Sequence, residues 1–163
     1  MADARPPRRR ALLLENIHPG AARLLTEAGF EVDLIKGALD ESELAERITE
    51  VDVLGIRSRT QLSESVLDKS KSLIAVGAFC IGTNQIDLPA ATHRGVTVFN
   101  APFSNTRSVV ELVIAEIIAL TRRLVDKNRE MHSGVWSKSA VGAHEVRGRR
   151  LGIVGYGNIG SQL

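Results

Sequence analysis

The chain has 163 residues, 44% of them hydrophobic and 25% charged, a composition that excludes a disordered or fibrous protein. Its formal charge is +2, but residues 1–10 set Arg5, Arg8, Arg9 and Arg10 against Asp3 for a net of +3, so +2 less +3 leaves −1 for the rest. A nearly neutral body excludes the broad basic face that nucleic-acid binding requires, and residues 1–10 read as a solvated, disordered basic tail rather than a nucleic-acid arm.

Past the tail, Leu12–Leu14 reads as a first strand, and the apolar run closed by Glu15 is too short for a signal-peptide core. A helix is expected over 19–28, ended by Gly29, which reaches the left-handed cap without a Cβ penalty. Phe30–Ile35 is a second strand. Asp40 with Glu43 three residues on is a capping-box start, because each side chain can satisfy a free amide of the first turn. That helix runs to about Thr49. Val53–Ile56 is a third strand, Ser63 caps a short helix to Lys69, and Leu73–Gly77 is a fourth strand. Cys80 follows as an expected inert, buried thiol, and a single cysteine excludes an internal disulfide and a cysteine-based zinc site; no metal is expected. Asp87 caps another helix with Pro89 in its first turn, and Val96–Phe99 is a fifth strand. Strands alternating with helices over short connections predict parallel strands covered by helices on both faces, an α/β fold.

The pattern then changes. Ser108 and Glu111 read as a second capping box opening one long helix to about Met131. Ten of the twelve residues from Val109 to Leu120 are apolar, which predicts a helix buried in one core or shared between two domains or subunits. The stretch holds Glu111 and Glu116 and is shorter than a membrane span, so a soluble, cytoplasmic protein with no membrane partner is expected.

Leu151–Val154 reads as a strand feeding Gly155-Tyr-Gly157-Asn-Ile-Gly160. The first glycine makes a tight turn, the second lets the backbone reach a pyrophosphate, and the third allows close helix–strand packing. A diphosphate would rest on the amides around Asn158 and Ile159. The acid that would hold the ribose is expected about 20 residues further on, past Leu163, so chemistry here does not separate NAD from NADP.

At the end of the third strand stand Arg57-Ser58-Arg59. Two guanidinium groups flanked by hydroxyls suit a doubly anionic ligand, and spacing alone also allows two solvated loop charges.

Five segments in one order then carry a resemblance: Gly55–Thr60, Val76–Asp87, Val98–Val109, Gly134–Trp136 and Leu151–Gly160. Together they resemble the D-isomer-specific 2-hydroxyacid dehydrogenase family, and within it the bacterial D-3-phosphoglycerate dehydrogenases. The resemblance implies a flavodoxin-like substrate-binding lobe over 11–104, the beginning of a Rossmann NAD-binding domain over 105–163, and a cleft between lobes. It implies hydride transfer between NAD and a D-2-hydroxy acid, 3-phosphoglycerate to 3-phosphohydroxypyruvate, as in serine biosynthesis. Arg57, Ser58, Arg59 and Asn105 match substrate-binding positions, and the turn from Gly77 to Asn84 matches one whose backbone faces the substrate carboxylate. Gly155, Gly157, Asn158, Ile159 and Gly160 match the cofactor loop.

The family's catalytic arginine, acid and histidine are expected beyond Leu163, so no catalytic residue is assigned within the chain, and the chain alone is expected to be inactive. His18, His93, His132 and His144 lie outside the matching motif and read as surface or packing residues. Val110 after Val109 departs from the small residue of most relatives. Trp136 resembles a tryptophan that packs across a subunit interface, and a homo-oligomer through the 108–131 helix is expected. Two other readings stay open: a dinucleotide-sensing corepressor that recruits proteins, and a non-catalytic remnant.

Overall fold

The structure is a computed structural model that describes residues 9–163. It divides into two compact units, the first ending at Pro102 and the second running from Phe103 to Leu163. The basic residues 1–8 lie outside the described residues.

The first unit is a five-stranded parallel sheet in the order β2-β1-β3-β4-β5, with β1 Arg10–Leu13, β2 Glu31–Leu34, β3 Val53–Ile56, β4 Ala75–Ala78 and β5 Thr97–Asn100. Four crossovers contain α1 Pro19–Glu27, α2 Glu41–Arg47, α3 Glu64–Leu67 and α4 Leu88–His93. The strand ends differ by a residue or two from the sequence expectation, because ladder pairing fixes the ends that apolar runs only approximate. Arg10 is a correction to the expected tail. It opens β1, donates its amide to Asp52 at 2.7 Å, and pairs its guanidinium with Glu50 and Asp33.

Residues alternate across the sheet, so Leu12, Leu54, Ile56 and Val76 point to one face. There they meet Leu44 and Ile48, Val66 and Leu67, and Ala90 and Ala91 in a continuous core. Each fully buried Leu or Ile contributes about 1.5–3 kcal/mol relative to exposure. The helices start where the sequence expects. Asp40 accepts the Glu43 amide at 2.8 Å and Glu43 reaches back to the Asp40 amide, while Asp87 accepts the Ala90 amide at 2.9 Å. Ser63 sits at the N-cap of α3 without a side-chain bond to the helix; its hydroxyl goes to Glu41 and Ser65 instead. His18 caps α1, its Nδ1 accepting the Gly20 amide at 3.0 Å.

On the other face Leu13, Gly55 and Gly77 stand in register across β1, β3 and β4. The Phe79 ring occupies the space above both glycines, 3.2 and 3.1 Å from where a Cβ would stand on each.

The second unit holds α5 Thr106–Thr121 and α6 Leu124–His132 in place of the single expected helix. The break is at Arg123, which takes a left-handed φ of 53° and is held there by bonds to Asp126 and to the Val141 carbonyl. The expected capping box at Ser108 is absent: α5 begins at Thr106, and Glu111 pairs with Arg107 at 3.0 Å. The chain by itself covers only part of this helix. Only Thr106 and Val110 are buried, whereas Leu112, Ile114, Ile118 and Leu120 are exposed. Leu151–Val154 forms no strand, since among the described residues nothing offers it a ladder. No helix among the described residues is long and apolar enough to cross a membrane.

A methyl group on Gly55 would collide with Leu13 and press on Ile17 and Phe79. Gly55→Ala is therefore expected to lower unfolding stability by about 1–3 kcal/mol, read as an earlier urea midpoint at unchanged slope.

Candidate functional site

In an open parallel sheet the place where strand order reverses leaves a crevice at the carboxyl ends of the strands, and here the reversal lies between β1 and β3. Three segments converge on that end: Glu15 after β1, Arg57–Thr60 after β3, and Phe79–Gln85 after β4. Their contacts give the crevice a rigid wall.

Glu15 carries the structure of that wall. The residue is 7% exposed, and its carboxylate accepts the amides of Arg57 at 3.0 Å and Thr60 at 2.9 Å on Oε1 and of Arg59 at 3.1 Å on Oε2. Burial pushes its carboxyl up, but the N–H groups of Thr60, Arg57 and Arg59 outweigh burial and hold it below its ordinary range. The Arg57 carbonyl in turn accepts the Gln85 amide nitrogen at 2.7 Å. That nitrogen also lies 3.4 Å from the Gly82 carbonyl and 3.3 Å from Cys80 Sγ, so buried Gln85 ties the β3 loop to the β4 loop. Cys80 is half-buried rather than buried as expected, because Sγ turns back on its own loop to the Gly82 carbonyl at 3.2 Å.

Arg57, Ser58 and Arg59 all have exposed side chains on this wall. Neither guanidinium enters an ion pair among the described residues. Two cations thus project from a backbone fixed on both sides, with their forks available to an anion. In the β4 loop the amides of Ile81, Gly82 and Thr83 donate to no acceptor among the described residues, while Asn100 holds the Ile81 carbonyl at 2.7 Å. The first unit therefore offers two guanidinium forks and a short row of free N–H groups. That set can bind an anion but not abstract a proton, because guanidinium and backbone N–H groups are donors only.

The remaining expected residues lie in the second unit. Asn105 is the N-cap residue of α5, exposed and without a capping bond. Gly155 has φ 94°, a conformation that favours glycine, and a Cβ on Gly160 would run into the Gly155 carbonyl. The glycine turn therefore closes on itself only because that Cβ is missing. The amides of Gly157, Asn158 and Ile159 donate to nothing among the described residues, whereas Ser161 and Gln162 begin a helical turn back to Gly157 and Ile159. Free amides, a glycine turn and a nascent helix fit a diphosphate group. Among the described residues no group of three or more His, Cys, Asp or Glu could hold a metal ion.

Sequence reasoning passed over Glu15 and Gln85. A lone acid straight after four buried apolar residues, followed by an asparagine that tolerates left-handed backbone, is the signal that points to Glu15. Gln85 carries no comparable local signal, because its role depends on a partner 28 residues away.

The family described as D-isomer specific 2-hydroxyacid dehydrogenase, catalytic domain, matches residues 11–152. The chain is 56% identical over 153 residues to the D-3-phosphoglycerate dehydrogenase of Haemophilus influenzae, covering 93% of this chain and 37% of that protein. It is 55% identical over 152 residues to D-3-phosphoglycerate dehydrogenase 1 of Saccharomyces cerevisiae, covering 93% of this chain and 32% of that protein. Among solved structures, one Thermus thermophilus protein matches with a TM-score of 0.84 at 28% identity over 93% of this chain and 50% of the other. The D-lactate dehydrogenase of Aquifex aeolicus, complexed with NAD and lactic acid, shares the fold with a TM-score of 0.78 at 23% identity, over 93% of this chain and 46% of the other. The chain thus spans about a third of the length of the curated relatives it matches.

The lowered Glu15 pKa has a definite sign in stability. Its contribution is fully present above the ordinary value of 4.5 and is lost as pH falls through the lowered folded-state value. Urea unfolding of the wild type and of Glu15→Gln is expected to differ by a constant amount from neutral pH down to 4.5, the gap narrowing below it. Exposed Asp40, whose carboxyl is also lowered by the Glu43 amide and Ser42, is common to both proteins and cancels in the difference.

Proposed function

The chain belongs to the D-isomer-specific 2-hydroxyacid dehydrogenase family, and from that premise we propose that it is the substrate-binding lobe and the opening of the cofactor lobe of an NAD-dependent oxidoreductase. The substrate is a phosphorylated D-2-hydroxy acid, 3-phosphoglycerate, oxidised to 3-phosphohydroxypyruvate as the entry to serine biosynthesis. One observation carries this reading: two unpaired guanidinium groups stand on a backbone fixed by Glu15 and Gln85 at the carboxyl ends of the strands. Two anionic groups on one substrate account for two arginines. The curated relatives that match at 52–56% identity are named D-3-phosphoglycerate dehydrogenases, which favours this reading over a corepressor.

In this reading Arg57 and Arg59 hold the anionic ends of the substrate, with Ser58 between them, and the free amides of the β4 loop face its carboxylate. Asn105, the N-cap residue of α5, is assigned to substrate binding by its match to the family motif. Gly155, Gly157, Asn158, Ile159 and Gly160 hold the diphosphate of NAD, which supplies the hydride acceptor when bound. The chain's own part is to bind and orient, since none of its residues is assigned to move the proton. The protein is cytoplasmic, and a second copy covers the exposed apolar face of α5 together with Trp136, which is 75% exposed.

With 3-phosphoglycerate as the titrant, Arg57→Ala and Arg59→Ala are each expected to weaken binding by roughly tenfold to a hundredfold, with little change in melting temperature because both side chains are exposed. Wild-type affinity in both variants would end the proposal. For the oligomer, Leu112→Glu with Leu120→Glu is expected to turn a dimer into a monomer in sedimentation velocity; an unchanged sedimentation coefficient would exclude α5 as the interface.

A further inference from the structure

Glu15 adopts a backbone conformation that its residue type disfavours. Both it and Asn16 are left-handed, with φ of 59° and 55°, a region that asparagine tolerates and a glutamate rarely adopts. Such strain persists only where surrounding structure over-determines it. Here the Glu15 amide donates to the Gly37 carbonyl at 2.9 Å and the Asn16 amide to the Ile35 carbonyl at 3.3 Å. The chain leaving β1 is thus bent by contacts with the segment leaving β2, and the bend brings the carboxylate under the β3 loop.

What the carboxylate does there is specific. It forms no ion pair with either arginine among the described residues and instead fills three backbone amides of the loop that carries them. A loop with three convergent N–H groups is by itself an anion receptor. With Glu15 seated in it, that receptor is already occupied, so an incoming anion meets only the side chains. We infer that Glu15 is a positioning residue for anion recognition: it fixes the backbone from which Arg57 and Arg59 project and, by occupying the loop amides, makes the guanidinium forks the part that reads the ligand. This rests on the reading of the two arginines as the substrate's anion holders, and it adds a residue outside the ligand's reach that sets their geometry.

Glu15→Gln tests the idea at the level of single atoms. A glutamine oxygen in the Oε1 position keeps the amides of Arg57 and Thr60 and turns its NH2 toward the Arg59 amide, donor against donor. Two of three bonds survive while the anchor of Arg59 is lost.

The experiment titrates the chain with 3-phosphoglycerate by calorimetry in four forms: wild type, Glu15→Gln, Arg59→Ala and the double variant, with Arg57→Ala alongside. Glu15→Gln is expected to weaken binding about tenfold, and in the Arg59→Ala background to add no further loss, because it acts through Arg59. Hydrogen exchange at the Arg59 amide is expected to accelerate while the rest of the sheet stays protected.

Unchanged binding in Glu15→Gln while the arginine variants lose affinity would overturn this inference and leave the substrate reading intact. So would a loss that adds in full to that of Arg59→Ala, the signature of a merely structural role. Wild-type binding in both arginine variants would overturn the substrate reading itself, and this inference with it. If Glu15→Gln does not fold, Glu15→Asp, which keeps the charge and shortens its reach, takes its place with the same expectations.

Discussion

A single buried carboxylate organises the ligand end of the first unit. Glu15 accepts the amides of Arg57, Arg59 and Thr60, and those bonds turn an exposed loop of a parallel sheet into a fixed wall. A loop that bears two cations would otherwise spread them apart, and an ordered pair is what planar recognition of an anion requires. The carboxylate remains ionised because the amides it accepts stabilise its charge more than burial opposes it. Removing any one of these partners leaves a buried polar group unsatisfied, so the arrangement is stable only as a set.

That set depends on topology. Reversal of strand order between β1 and β3 brings Glu15 beside the β3 loop, and β4 next to β3 brings Gln85 to the other side of the same loop. The paired glycines Gly55 and Gly77 leave room for the Phe79 ring over the two strands that carry the site. Packing on the opposite face, where Leu12, Leu54 and Val76 meet three helices, holds these strand ends in register.

The second unit follows a different logic. An apolar stretch that predicts a helix buried in one core or shared between domains or subunits forms a helix with half of its apolar side chains exposed, ended at a left-handed arginine. The glycine turn nonetheless takes a closed form, since Gly155 alone relaxes into its positive φ and Gly160 alone tolerates the Gly155 carbonyl at that distance. Local chemistry makes the turn without a strand beside it, whereas Leu151–Val154 stays unpaired because a parallel strand takes its hydrogen bonds from neighbours.

Much of this was determined by sequence alone. Periodicity located every strand of the first sheet to within a residue or two, and the side chains of Asp40 and Asp87 marked their helix starts, because these signals act over a few adjacent residues. The arginine pair and the glycine turn were legible for the same reason: their chemistry is contiguous. Tertiary structure decided the rest. Glu15 and Gln85 meet the loop of Arg57 across 42 and 28 residues, the break at Arg123 is held by Val141 across 18, and Arg10 leaves the tail because Asp33, Glu50 and Asp52 hold it. None of these pairings has a local signature, since each bond exists only once folding has brought distant segments to the same end of one sheet or one helix.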